Sequence, residues 1–170
     1  MNIVVTGAVG VGKTTVCEKV IGMARGLGYS CGGILTPKAA DKGIVIVDIQ
    51  TGEREVLASL DNIYRGPRVG KYFFNPGGIE FGLRAIESGV SADVLCVDEI
   101  GYLELEGKGF VKIMELIGEG KVKNSILVIR RELLAAFSTR LGSGWSITEA
   151  DIENRNELPA KICALLAGCS

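Results

Sequence analysis

The chain has 170 residues, 47% hydrophobic and 23% charged, and its 19 basic and 20 acidic side chains leave a formal net charge of −1. That length suits a single domain, residues 1–170, with an ordinary core. The even charge balance argues against a non-specific nucleic-acid binder, which carries a basic excess. Mean hydropathy is +0.31, yet no apolar run approaches the ~20 residues a bilayer helix needs, so no membrane association is expected. The apolar start MNIVVTGAVGVGK lacks the basic opening of a secretory leader. Histidine is absent, which removes imidazole bases, Ser-His triads and His-ligated metals; any general base is expected to be a carboxylate. Five cysteines (Cys17, Cys31, Cys96, Cys163, Cys169) form no CxxC pair. They read as small buried hydrophobes of a reducing, cytoplasmic setting.

In chain order, NIVVT is a buried-type strand running into a Gly-rich turn. From Lys13, apolar Val16, Val20, Ile21, Ala24 and Leu27 recur at helical spacing, and Gly28 is placed to stop that helix. GGILT, GIVIVDI and REVLASL follow as short β-like runs, the last two joined by a QTGE hairpin turn. A loop carrying Gly66, Pro67 and Gly70 leads to a second helix, with Asn75 as N-cap and Pro76 at its first position. Its expected buried face is Ile79, Leu83, Ile86 and Val90. DVLCV is a continuous apolar strand, the pattern of a sheet covered on both faces. Helix FVKIMELIGEG, strand SILVI, helix RELLAAFSTRL, a short strand at WSI and helix PAKICALLAG complete the chain. Strands alternating with helices predict an α/β fold: one doubly wound, mainly parallel sheet with a β-hairpin insertion between the first two helices.

The stretch GAVGVGKTT, residues 7–15, matches G-x-x-x-x-G-K-[ST] without a mismatch. Gly7, Gly10 and Gly12 permit a backbone path that turns the N–H groups of Ala8, Val9, Val11 and their neighbours inward, a nest for phosphate oxygens. The helix behind adds its positive end. Lys13 can bridge β- and γ-phosphates, the Thr14 hydroxyl can ligate Mg²⁺, and Thr15 lies near the α-phosphate. The strand then predicts where the acids go. DVLCVD sets Asp98 at a C-terminal strand end, the ligand-binding edge of open α/β sheets, where it can hold Mg²⁺ through water. Glu99, directly after it, can reach the water attacking a γ-phosphate as base or orienter. An Asp-Glu pair therefore favours hydrolysis. A transition state with charge spread over phosphoryl oxygens also calls for a further cation. Arg130 and Arg131, after SILVI, reach the same edge; Arg68, Arg140 and Arg155 are weaker candidates.

Together VTGAVGVGKTT, VDEIGYLEL and ENRNELPAKI resemble the small nucleoside-triphosphatase family known as thermophile NTPase phosphohydrolases and, in animals, cancer-related nucleoside-triphosphatases. GGILTPK and the TGE hairpin extend the likeness over nearly the whole chain. The chain departs from the family in reading KAADKGIVI for a basic Arg-x-Gly-Phe step, and Asn154, Arg155, Asn156 for Asn-Arg-Asp. The resemblance implies a P-loop fold of the RecA-like type and a Mg²⁺-dependent enzyme cutting the terminal phosphate of ATP, GTP and other nucleoside triphosphates. The DEIG-x-x-E-L form implies a nucleotide-site segment of Asp98, Glu99, Ile100, Gly101 and Glu104. No N-K-x-D guanine-reading motif occurs, in keeping with broad base tolerance. Two rival classes stay open: a kinase passing the γ-phosphate to a small acceptor, and a nucleotide-gated adaptor or assembly factor. Nothing in the sequence demands an interface, so a monomer suffices.

Overall fold

Strand β1 (Asn2–Thr6) runs into a turn and helix α1 (Lys13–Gly26), and from there the computed structural model describes residues 1–141 and 144–168. Cys169 lies outside the described residues, while Cys17, Cys31, Cys96 and Cys163 are buried free thiols. After β2 (Cys31–Leu35) come β3 (Ile44–Asp48), β4 (Arg54–Ser59), β5 (Arg68–Val69) and β6 (Tyr72–Phe74). Helix α2 (Pro76–Gly89) crosses over to β7 (Val94–Ile100), which is followed by short α3 (Tyr102–Leu105), α4 (Lys112–Gly118) and β8 (Ser125–Ile129). A 3-10 turn (Arg131–Leu133) leads into α5 (Leu134–Leu141), and β9 (Trp145–Glu149) and α6 (Leu158–Ala167) close the chain.

Among the described residues, nine strands form one sheet in the order β5-β6-β4-β3-β2-β7-β8-β1-β9. Strands β2, β7, β8, β1 and β9 pair in parallel. Strands β3, β4, β6 and β5 extend β2 in antiparallel steps. The expected mainly parallel sheet is thus corrected to a mixed one, and the expected hairpin insertion to four strands. The cause is connection length: the links from β2 to β6 hold no helix, and without a crossover each strand must return antiparallel to its neighbour. The strands β5 and β6 lie in what reads, by Gly66, Pro67 and Gly70, as a loop.

Alternation along the central strands divides two cores. Ile3, Val5, Cys96, Ile126 and Val128 pack against α1 and α6, while Val4, Leu95, Val97, Leu127 and Ile129 face α2, α4 and α5. Helix α1 stops where Gly28 (φ +88) turns left-handed, with Tyr29 N–H returned to the Ala24 carbonyl and Gly28 N–H to Arg25, a Schellman closure. Leu27 is the exception to its expected apolar face, 62% exposed at that cap. Asn75 caps α2 as expected, its side chain accepting from Gly77 N–H at 3.0 Å. The buried face of α2, however, is Gly78, Gly82, Ala85, Ile86 and Gly89, with Ile79, Leu83 and Val90 only partly covered. Glycines let this helix lie almost on the sheet: a Cβ at Gly78 would sit 2.3 Å from the Val56 carbonyl oxygen. Among the described residues no helix is long and apolar enough to cross a membrane.

Two substitutions of the same kind should therefore move stability in opposite directions. Gly78→Ala, which forces β4 and α2 apart, should cost about 1–3 kcal/mol. Gly22→Ala in α1, where a Cβ meets nothing within 4 Å, should add about 0.5–1 kcal/mol. Denaturant midpoints measure both; equal shifts would contradict this packing of α2.

Candidate active site

The parallel strands bring five loops to one edge of the sheet: those after β1, β2, β7, β8 and β9. After β1 the chain turns through Gly7 (φ +145), Gly10 (φ +85) and Gly12 (φ +102), a left-handed path that side chains resist. At Gly7 there is also no room, since a Cβ would lie 2.4 Å from the Ala150 carbonyl oxygen. Gly12 offers α1 no side-chain cap, and no acid stands in its first turn. The first-turn N–H groups are thereby left to an anion. Ala8, Val9 and Gly10 form the exposed crest of the loop, and Thr15 is exposed on the first turn. Lys13 is 7% exposed, its Nζ donating to the carbonyls of Gly7 (3.0 Å) and Ala8 (2.9 Å). The ammonium is thus folded back into its own loop.

Asp98, at the end of β7, is 1% exposed. Its Oδ2 accepts from Thr36 N–H at 3.2 Å, and the Thr14 side chain also hydrogen-bonds it. Burial raises its carboxyl to about 6, with the neighbouring Glu99 charge adding to the rise, against the opposing pull of Thr14, Thr36 and Lys13. Such a carboxylate is short of positive charge. With the Thr14 hydroxyl it forms a hard-oxygen donor pair of the kind a divalent cation prefers, and such a cation, if bound there, would supply the missing charge.

The Asp98–Glu99 peptide is cis. Glu99 is half-buried, and its Oε1 accepts from Arg130 Nε at 2.5 Å. The Arg130 guanidinium lies 5.9 Å from the Tyr102 ring centroid. Glu99, Arg130, Tyr102, Thr36 and Gly101 line a small cavity of about 60 Å³ whose inner wall includes Leu57 and Phe74 of the antiparallel strands. Arg131 diverges from its neighbour, pairing with Glu149 at the end of β9 on an exposed face. Ile100 turns its side chain into the core, so that its backbone alone is offered to the edge. Glu104 is 4% exposed, and both its oxygens are taken by backbone: Oε2 by Gly101 N–H (2.7 Å) and Oε1 by Phe110 N–H (2.8 Å). Its carboxyl is raised by burial despite these bonds. Glu104 thus holds the turn behind Glu99 instead of offering a free carboxylate.

Of the weaker arginine candidates, Arg68 lies over the Phe73 ring and Arg140 donates to the Glu104 carbonyl at 2.8 Å. Arg155 instead meets the phosphate-binding loop, its Nη1 lying 3.5 Å from the Val11 carbonyl oxygen. Thr36 and Tyr102 escape the motif reading. A threonine closing an apolar strand and an aromatic in the DEIG-YLEL segment were the available signals, and neither residue type marks a site by itself.

The family model described as NTPase matches residues 2–163. The nucleoside-triphosphatase THEP1 of Methanosarcina acetivorans is 33% identical over 168 residues, covering 95% of this chain and 94% of that protein. The protein of the same name from Archaeoglobus fulgidus is 32% identical, with 99% and 100% covered. The crystal structure of THEP1 from Aquifex aeolicus superposes with a TM-score of 0.77 at 26% identity, covering 98% of this chain and 99% of its own. The solution structure of a human cancer-related nucleoside triphosphatase matches with a TM-score of 0.74 at 22% identity, over 98% and 97%; it is a likeness of fold.

The placement of Glu104 is open to test. Glu104→Ala would leave the N–H groups of Gly101 and Phe110 without an acceptor, at a cost of about 2–4 kcal/mol. For a chain of this size that is a melting temperature lower by roughly 4–16 °C. Lost nucleotide affinity at an unchanged melting temperature would instead put its carboxylate on the ligand.

Proposed function

The chain belongs to the NTPase family of nucleoside-triphosphatases, and we propose that Glu99 positions and deprotonates the water that cuts the γ-phosphate from the nucleotide. The observation that most supports this is the pairing at the end of β7. A second carboxylate follows the buried Asp98, stands outside the metal-type donor pair, and is held by Arg130 at the mouth of a cavity. The water oxygen bonds to the γ-phosphorus, the bond from that phosphorus to the β–γ bridging oxygen breaks, and the diphosphate leaves. The water proton passes to Glu99.

Arg130 is already on the Glu99 carboxylate, so a γ-phosphate arriving beside it competes for the guanidinium. Movement of Arg130 onto the phosphoryl oxygens frees Glu99 for the water and sets a cation where negative charge develops. Lys13 makes a similar exchange, from the Gly7 and Ala8 carbonyls to the β- and γ-phosphate oxygens. Asp98 and Thr14 would hold Mg²⁺, which neutralises phosphate charge when bound. Arg131, paired to Glu149, has a weaker claim to the transition state. The absence of an N-K-x-D motif supports hydrolysis of several bases alike. The balanced charge supports action on free nucleotide without nucleic acid, and the free buried thiols support a cytoplasmic setting.

Phosphate release from ATP, GTP, CTP and UTP with Mg²⁺, and no added acceptor, tests the reading. Release from all four is expected. Glu99→Gln should bind nucleotide like the unaltered protein while kcat falls about 10²–10⁴-fold, and Lys13→Ala should abolish turnover. Arg130→Ala should lower kcat by about 10²–10³-fold. Full turnover in Glu99→Gln would end the assignment of the base. Tight binding without release would favour transfer to an acceptor or a partner-gated switch.

A further inference from the structure

The two ends of the phosphate-binding loop differ in what they face. At one end lie Lys13, Asp98 and Glu99, the groups suited to the γ-phosphate. At the other, Thr15 on the first turn of α1 marks the α-phosphate end, beyond which the ribose and base must lie. That far end opens on a cleft of about 260 Å³ lined by Gly12, Thr15, Val16, Lys19, Arg155 and Asn156. Gly12 caps α1, and Thr15, Val16 and Lys19 continue from it at helical spacing, so the four form one stripe leading away from the loop. The last two come from the opposite end of the chain.

The segment that delivers Arg155 is built to hold its shape. Asp151 Oδ1 accepts from the N–H groups of Glu153 (2.8 Å) and Asn154 (2.7 Å). Asn154 answers by accepting from Asp151 N–H (3.0 Å) and donating to the Glu149 carbonyl (2.9 Å). Ala150 N–H bonds the Thr6 carbonyl at 2.8 Å, tying the segment to the root of the phosphate loop. Across the cleft, Lys19 Nζ reaches Asn156 Oδ1 at 3.4 Å. A planar guanidinium is thereby presented from a fixed turn over the loop end, where its Cδ and Nη1 would lie 3.7 and 3.8 Å from a Cβ at Gly12. Its hold on the Val11 carbonyl, 3.5 Å long, is readily given up.

We propose that this cleft takes the nucleoside end of the nucleotide, and that Arg155 is its platform, stacking on whichever base arrives. The inference rests on the nucleotide-binding reading above and deepens it. A guanidinium face stacks on any base, because every base has a π-face. Stacking of this kind selects for a base without selecting among bases. Lys19 lines the same cleft.

Calorimetric binding of ADP, GDP, CDP, UDP and inorganic pyrophosphate, each with Mg²⁺, separates the platform from a phosphate contact and requires no turnover. Arg155 is exposed, so Arg155→Ala is expected to fold normally. It should weaken all four diphosphates by a similar factor of about ten, leaving pyrophosphate within twofold. Arg155→Lys, which keeps the charge and loses the plane, should resemble Arg155→Ala. Equal weakening of pyrophosphate, or recovery in Arg155→Lys, would make Arg155 a phosphate contact and overturn the platform. A loss confined to one base, or no loss at all, would overturn it as well. The same binding pattern in a protein that releases no phosphate would keep the platform and remove the hydrolase.

Discussion

A carboxylate 1% exposed at the end of a central strand is costly unless something answers its charge, and Asp98 sets the terms for everything around it. The backbone N–H of Thr36 must come from the end of β2, and the Thr14 hydroxyl from the first turn of α1. Three chain segments far apart in sequence are thus held to one point. These groups do not fully compensate it, since burial still raises the carboxyl to about 6. The remaining deficit is what a bound cation would meet, so the fold stores at this edge a demand for positive charge.

Around that point the sheet divides its labour. Five parallel strands open their C-terminal ends on the same side, which gathers the phosphate loop, Thr36, Glu99 and Arg130 without any one loop having to be long. The antiparallel strands carry no part of the phosphate loop. Through Leu57 and Phe74 they line the same cavity as the Glu99–Arg130 pair, which gives that pair an apolar neighbourhood. Beyond the other end of the loop, the tight Asp151–Asn154 turn brings Arg155 to α1. With the nucleoside placed in that cleft as proposed, the site would run from the reacting phosphate at the strand ends to the base at the helix stripe.

How much of this could be read from residues follows from how local each constraint is. The phosphate loop, the Asn75 cap, the Gly28 stop and the strand carrying Asp98 are each written within a few neighbouring residues, and each stands where the pattern puts it. The antiparallel half is not legible in the sequence because strand direction depends on what a connection contains, and β5 and β6 are too short to show a period. The α2 face does not follow the apolar pattern because close packing by Gly78, Gly82 and Gly89 leaves no hydrophobic signature. Within the site, the motif names Asp98 and Glu99. The partnership of Glu99 with Arg130, the parting of Arg130 from Arg131, and the backbone duty of Glu104 all depend on residues brought together from elsewhere in the chain.

Hydrolysis of this kind requires water to reach the γ-phosphorus. A single turnover of ATP in ¹⁸O-labelled water, with the released phosphate and the diphosphate analysed by mass, measures this directly. One ¹⁸O atom in inorganic phosphate and none in ADP is the result expected from a water positioned by Glu99. Label in the diphosphate, which would place the attack at the β-phosphorus, would contradict it.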